Sequence, residues 1–258
     1  MADREDAIQI DNISKSFGET QAVKELTLNI QVGTIYGILG PNGSGKSTTM
    51  KMIMGLLKPD KGSIKVYGLD PKVDPYKVKK IIGYVPESPH LYEFLTATEY
   101  LDFIAIVHEV DPNEYQFKVN EFLEAFELTG HENEVLGGYS HGMKQKIAII
   151  AALLAEPRLL VLDEPLGGLD PRSARIMKDL LNKLTDEGVT VLFSTHVLEI
   201  AEAVCDQIGI LYKGKLLAEG TSTEIKGLSN TPEGTLEEAF LKLTDSSDVR
   251  EIVEELAR

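Results

Sequence analysis

The chain has 258 residues, 43% hydrophobic and 26% charged, which suits one large α/β domain with a buried core. Its 26 basic and 41 acidic residues leave a net charge of −15, which disfavours a nucleic-acid footprint. A single cysteine, Cys205, excludes a disulfide framework and suits a reducing compartment, where it would act as a small buried hydrophobe. The longest apolar stretch, residues 147–155, has nine residues. That is about half of what a bilayer requires. The acidic start, Met1-Ala-Asp-Arg-Glu-Asp6, lacks the basic-then-apolar plan of a signal peptide, so a cytoplasmic chain is expected.

Residues 7–13 and 26–30 alternate apolar with polar side chains, as half-buried antiparallel strands do. Between them, Lys15-Ser-Phe-Gly18 reads as a turn carrying an exposed aromatic. Residues 34–39 are strand-like and 47–54 helix-competent; 58–62 read as a turn, and 63–67 and 81–85 as strands. From 88 to 155 the strand signals vanish, and helices are expected at 96–107, 113–127 and 140–155, an all-helical insertion. A continuous apolar run at 158–163 marks a buried parallel strand. A helix at 171–187, opened by Pro171 and closed by Gly188, follows, then a strand at 189–194. A hairpin of 207–212 and 215–218 turns at Lys213-Gly214, and helical turns fill 221–258, with Ser247 a candidate N-cap.

The run Gly40-Pro-Asn-Gly-Ser-Gly-Lys-Ser47 fits the phosphate-binding loop G-x-x-x-x-G-K-[ST], between a strand-like and a helix-competent segment. Small and turn-forming residues (Gly40, Pro41, Asn42, Gly43, Ser44, Gly45) let the backbone wrap a polyphosphate. Amides there and in the first helical turn, through Thr48, then face negative charge. Lys46 supplies a cation for the β- and γ-phosphates, and the Ser47 hydroxyl is placed to ligate Mg²⁺. Such a match arises by chance in on the order of one chain in a hundred of this length, so a Gly-rich hairpin with a surface lysine is the weaker reading.

The second element is Leu159-Leu-Val-Leu-Asp163-Glu164, acids at the C-terminal end of a buried strand, where α/β sheets bind ligands. Asp163 takes the Mg²⁺ role and Glu164 can orient or deprotonate an attacking water, against a bland helix-capping alternative.

With these motifs in place, the chain resembles the nucleotide-binding ATPase subunit of ABC transporters over roughly residues 7–245. The likeness also rests on Tyr139-Ser-His-Gly-Met143, Gly167-Gly-Leu-Asp170 and Ser194-Thr-His196, in the family's order and spacing. The resemblance implies that Ser140 and Gly142 open a helix gripping the γ-phosphate of ATP on the opposite subunit. It also implies that His196 meets the γ-phosphate, and that Asp170 lies in the loop coupling the two sites. Catalysis would then fall to Glu164, His196 and Lys46. Phe17 would stack on adenine, or else cover the core edge. His90, His108 and His131 read as surface, and none of these, nor His141, shows metal-ligand spacing.

Two departures stand out. His141 and Met143 replace residues of the usual Leu-Ser-Gly-Gly-Gln, and Glu87 stands where the family has a Gln that ligates Mg²⁺ and water. Glu87 still offers metal-ligating oxygen at the cost of extra negative charge near the γ-phosphate. With residues 89–96 and 234–243, these departures resemble the subgroup that partners ABC-2-type export permeases.

The expected fold is α/β: a P-loop NTPase core with a mixed sheet and an N-terminal antiparallel β subdomain, an inserted helical subdomain and a short helical tail. The ATPase domain spans 1–245 (core 7–87 and 156–220, helical subdomain 88–155), with a C-terminal extension at 221–258. The expected function is ATP hydrolysis by a head-to-tail dimer around two ATP·Mg²⁺. That motor would drive a separate permease, as an exporter, from the inner face of the membrane. A soluble ABC-type ATPase acting on nucleic acid or ribosomes is the alternative. A regulatory GTPase lacks its guanine-reading Asn-Lys-x-Asp, since the nearest string is Asn182-Lys-Leu-Thr185.

Overall fold

The computed structural model describes residues 5–167, 169–229 and 231–244. In chain order the strands and helices are β1 (Asp6–Phe17), β2 (Thr20–Gln31), β3 (Ile35–Leu39), α1 (Lys46–Ile53), β4 (Lys61–Val66), α2 (Pro75–Lys80) and β5 (Ile82–Val85). Then come α3 (Ala97–His108), α4 (Pro112–Ala125), α5 (His141–Leu154), β6 (Leu159–Asp163), α6 (Pro171–Asp186) and β7 (Thr190–Thr195). The chain closes with α7 (Leu198–Val204), β8 (Gln207–Tyr212), β9 (Lys215–Gly220), α8 (Ser222–Leu228) and α9 (Leu236–Leu243).

Two sheets form. One is antiparallel, in the order β2-β1-β4; the other is mixed, in the order β5-β6-β7-β3-β8-β9, with only the β8–β9 pair antiparallel. The unbroken apolar runs of β6 and β7 follow from burial on both faces. Leu160, Leu162, Val191 and Phe193 face a core shared with helices α3–α6, while Leu159, Val161 and Leu192 face a second core under the antiparallel sheet and α1. Register then decides where the chemistry lies. Leu39 pairs with Thr195 and Asp163 with Ser194, so β3, β6 and β7 end together at one edge.

Helices start where side chains satisfy the first free amides. Thr96 and Thr221 form reciprocal capping boxes with Glu99 and Glu224, and Asp111, Ser140, Asp170 and Thr235 cap α4, α5, α6 and α9. The apolar run of residues 147–155 is accounted for within α5: every residue from Gln145 to Leu154 is buried. No helix among the described residues is long and apolar enough to cross a membrane.

Several elements differ from expectation. β1 runs on through Phe17, and the turn is Gly18-Glu19, because Phe17 pairs with Thr20. Register shifts between Ile10 and Lys15 break the alternation, leaving Ile13 and Ser14 both buried and the strand's second half unreadable as a strand. Helices α2 and α7 carry no amphipathic signal: α2 buries only Val78, and α7 only Ala201 and Val204. Residues 88–155 hold helices and a 3-10 turn at Leu136–Gly138, yet their core is continuous with the sheet through Val85, Leu160 and Leu162. His108 is half-buried rather than on the surface, in the wall of a groove beside α3. Cys205 packs against Gly37, and burial, with Asp206 beside it, pushes its thiol up to about 12. The Ser247 cap lies outside the described residues.

Candidate functional site

The loop of residues 40–47 leaves the buried end of β3 and enters α1. Gly45 caps α1 in the left-handed region (φ 110°), and a Cβ there would lie 2.6 Å from the Ala22 carbonyl oxygen. Only glycine meets both conditions, which is why the loop can lie flat on β2. The buried Ser44 hydroxyl has no hydrogen-bond partner among the described residues. A buried orphan hydroxyl beside free helix-start amides fits an anionic ligand.

Lys46 is buried and donates through Nζ to the carbonyls of Gly40 (2.7 Å) and Pro41 (3.4 Å). Its Nζ also stands 4.0 Å from Glu164 Oε1. Burial lowers its pKa below the ordinary lysine value, and Glu164, Asp163 and Glu87 oppose that shift.

Asp163 ends β6 and is buried, with Oδ1 accepting a hydrogen bond from the Ser194 hydroxyl. Its other oxygen, Oδ2, accepts no hydrogen bond among the described residues. Glu164 follows with φ 50°, a left-handed conformation that a non-glycine residue holds only under constraint. The constraint is visible: its N–H donates to the Ser194 carbonyl (3.1 Å) and hydroxyl (3.2 Å). The side chain is thereby turned so that Oε1 lies 2.8 Å from His196 Nδ1. One carboxylate oxygen thus faces both the loop lysine and the histidine after β7.

Asp170 caps α6 through Ser173 N (2.8 Å) and accepts from the Ser173 hydroxyl (2.7 Å) and from Lys146 Nζ (2.9 Å). These donors, Ser173 first, hold its carboxyl well below the usual range. Lys146 lies on α5, as does Gln145, whose side-chain amide donates to the Pro165 carbonyl (3.3 Å). The helix that Ser140 opens is therefore tied along its buried face to the segment carrying Glu164 and Asp170. Ser140 Oγ accepts from Met143 N (3.2 Å), as its capping role requires, with His141 exposed beside it.

The structure thus gathers Lys46, Asp163, Glu164 and His196, with the loop glycines, at one sheet edge. Glu87 follows β5 on that edge and is exposed. Among the described residues, Ser140 and Gly142 form no hydrogen bond or ion pair with residues 40–47 of the same chain. Phe17 sits at the tip of the antiparallel hairpin, 53% exposed, with Lys15 Nζ 5.7 Å from its ring centre. Sequence reasoning missed Ser194, Lys146 and Gln145 as supports; only Ser194, within a quoted motif, left a sequence signal.

The ABC transporter family profile matches residues 23–167, over half of the chain and including the loop and the Asp163-Glu164 pair. The chain belongs to the ABC transporter family. The ABC cassette is 36% identical over 247 residues to the probable multidrug ABC transporter ATP-binding protein YbhF of Escherichia coli (strain K12). That match covers 95% of this chain but 43% of YbhF, so the chain spans less than half of that relative. It is 38% identical to the linearmycin resistance ATP-binding protein LnrL of Bacillus subtilis (strain 168), covering 84% of this chain and 70% of LnrL. Its fold matches a solved ATP-binding subunit of an ABC transporter with a TM-score of 0.88 at 33% identity, covering 92% of this chain and 99% of that one. A dimeric ATP-binding cassette in a post-hydrolysis state, bound to ADP and Pi, matches with a TM-score of 0.75 at 28% identity, covering 83% of this chain and 98% of that one. This ABC protein is an ATP-binding ATPase with the mixed α/β fold of such cassettes.

Proposed function

We propose that the chain is the motor subunit of an ABC exporter. It closes head-to-tail with a second copy or a related cassette around two ATP molecules and drives a separate permease at the inner face of the membrane. The observation that carries this reading is Glu164 Oε1, held 2.8 Å from His196 and 4.0 Å from Lys46 at the mouth of the phosphate loop. That arrangement suits a base beside the γ-phosphate, with Lys46 on the β/γ oxygens and His196 on the γ-phosphate.

Ser47, Asp163 and Glu87 would hold Mg²⁺, an ion that takes one or two protein oxygens and completes its shell with phosphate and water. The open Oδ2 of Asp163 fits that donor set. When bound, Mg²⁺ neutralises charge on the phosphates. Ser140, exposed at the N-cap of α5, and Gly142, half-buried in its first turn, would complete the site from the opposite subunit.

A groove of about 480 Å³ between β5, α3 and α5, lined by Gly83, Tyr84, Tyr100, Ile104, Ala151 and Ala152, suits an amphipathic segment of the permease. The drug-resistance names of relatives support export. The acidic charge disfavours the nucleic-acid or ribosomal alternative.

The test is light scattering of Glu164→Gln protein with and without ATP and Mg²⁺. The variant keeps the binding groups but stalls hydrolysis, so the closed state accumulates. A monomer that dimerises only with ATP, and not when Ser140 is also replaced by alanine, is expected. A chain that binds ATP yet stays monomeric overturns self-pairing.

A further inference from the structure

Helices α8 and α9 play no part in the chemistry above, yet α9 reaches the site. Leu236 and Ala239 of α9 are buried in a small core with Leu39, at the end of β3, and Ala201 of α7. Glu202 of α7 is the polar knot of this unit: it accepts from the Ser222 hydroxyl (3.0 Å) and the Leu236 N–H, and it pairs with Lys226. α7 begins at Leu198, directly behind the segment that carries His196. Gly40, Pro41, Asn42, His196, Leu198 and Phe240 line one cavity of about 290 Å³. Phe240 is the lining residue contributed by the C-terminal helices.

We infer that Phe240 is a positioning residue for ATP turnover: α9, tied to α7 through Glu202, holds its ring as the wall that keeps His196 in place. The inference rests on the proposed contact of His196 with the γ-phosphate. His196 is 57% exposed, and among the described residues Glu164 is the partner of its ring nitrogens. An exposed side chain with one such tether exchanges among staggered rotamers, and a wall beside it removes some of them. A misplacement of about 1 Å is enough to cost up to roughly a hundredfold in rate.

The test uses the purified full chain. Phe240→Ala is expected to lower kcat about tenfold, normalised to bound ATP, with KM changed less than about twofold. Phe240→Leu should recover most of that loss. Leu243→Ala trims the same small core without lining the cavity, and it should lower Tm comparably while kcat holds. In single-turnover reactions on a His196→Ala background, adding Phe240→Ala should cost nothing further, since a positioning effect acts through the ring it positions. The His196 ring NMR signals should shift in Phe240→Ala and not in Leu243→Ala, whatever the turnover rate. Equal losses for Phe240→Ala and Leu243→Ala, or an undiminished loss on the His196→Ala background, overturn the inference. A full rate for Phe240→Ala with His196→Ala inactive overturns it alone; a full rate for His196→Ala removes the reading of His196 and the inference with it.

Discussion

Lys46 sits under opposed demands, since burial penalises its charge while Glu164, Asp163 and Glu87 favour it. A charge-assisted hydrogen bond is worth about 1.5–3 kcal/mol. Lys46→Ala is therefore expected to weaken ATP binding by roughly ten- to a hundredfold, measured by isothermal titration calorimetry. Because its pKa is lowered, the ammonium loses its proton at a lower pH than an ordinary lysine, near 10.4. The ATP dissociation constant of the native chain should begin to rise before pH reaches that value. Asp170 works in the opposite sense. Its carboxyl is depressed by Ser173 and Lys146, so its contribution to stability is present above the ordinary Asp value and lost as pH falls through the folded one. The Tm gap between the native chain and Asp170→Asn should stay constant above about pH 5 and close below about pH 4, by calorimetry. The loop lysine was legible in the sequence because its motif is contiguous. The Lys146–Asp170 pair was not, since its members lie on different helices and a lysine in an apolar helix names no partner.

Among the elements, β5 and α5 approach each other closely where both line the groove. A Cβ on Gly83 would lie 2.6 Å from the Ala152 carbonyl oxygen, a backbone atom that cannot swing aside. Gly83→Ala is expected to destabilise the chain by about 1–3 kcal/mol, seen as a lower urea midpoint with an unchanged slope. It would also push α5 away from the sheet and so reshape the groove that both residues line. Caps and periodicity made α3 to α6 readable to within a few residues, because Thr96, Asp111, Ser140 and Asp170 are spelled out next to the helices they start. The first hairpin was misplaced for the opposite reason: a bulge erases the alternation by which a strand is read. Helices as short as α2 and α7 bury too few residues to show a period.

At the scale of the whole molecule, charge shapes assembly. Each copy carries −15, so two copies repel over distances that salt screens. The ATP-dependent self-association proposed for Glu164→Gln should therefore tighten as ionic strength rises from about 0.01 M to about 0.15 M, measured by analytical ultracentrifugation. Weakening with added salt would instead mean that opposite charges meet across the interface between the two copies. The three cores meet around the mixed sheet, so the edge that carries Asp163, Thr195 and the phosphate loop is backed by packed side chains on both faces. Such backing lets a left-handed Glu164 persist at the site.

By itself the sequence determined the class of chemistry, since a phosphate loop, an acid pair after an apolar strand and a capped helix start are local patterns whose physics acts within a few residues. Unbroken apolar runs likewise specified buried parallel strands. Only the tertiary structure decided which oxygen of Glu164 faces Lys46 and His196, that Ser194 locks the two acids, and that Phe240 closes the cavity beside them. Those outcomes depend on strand register and on packing between residues far apart in the chain, and one residue's identity carries no record of the surface that folding brings against it.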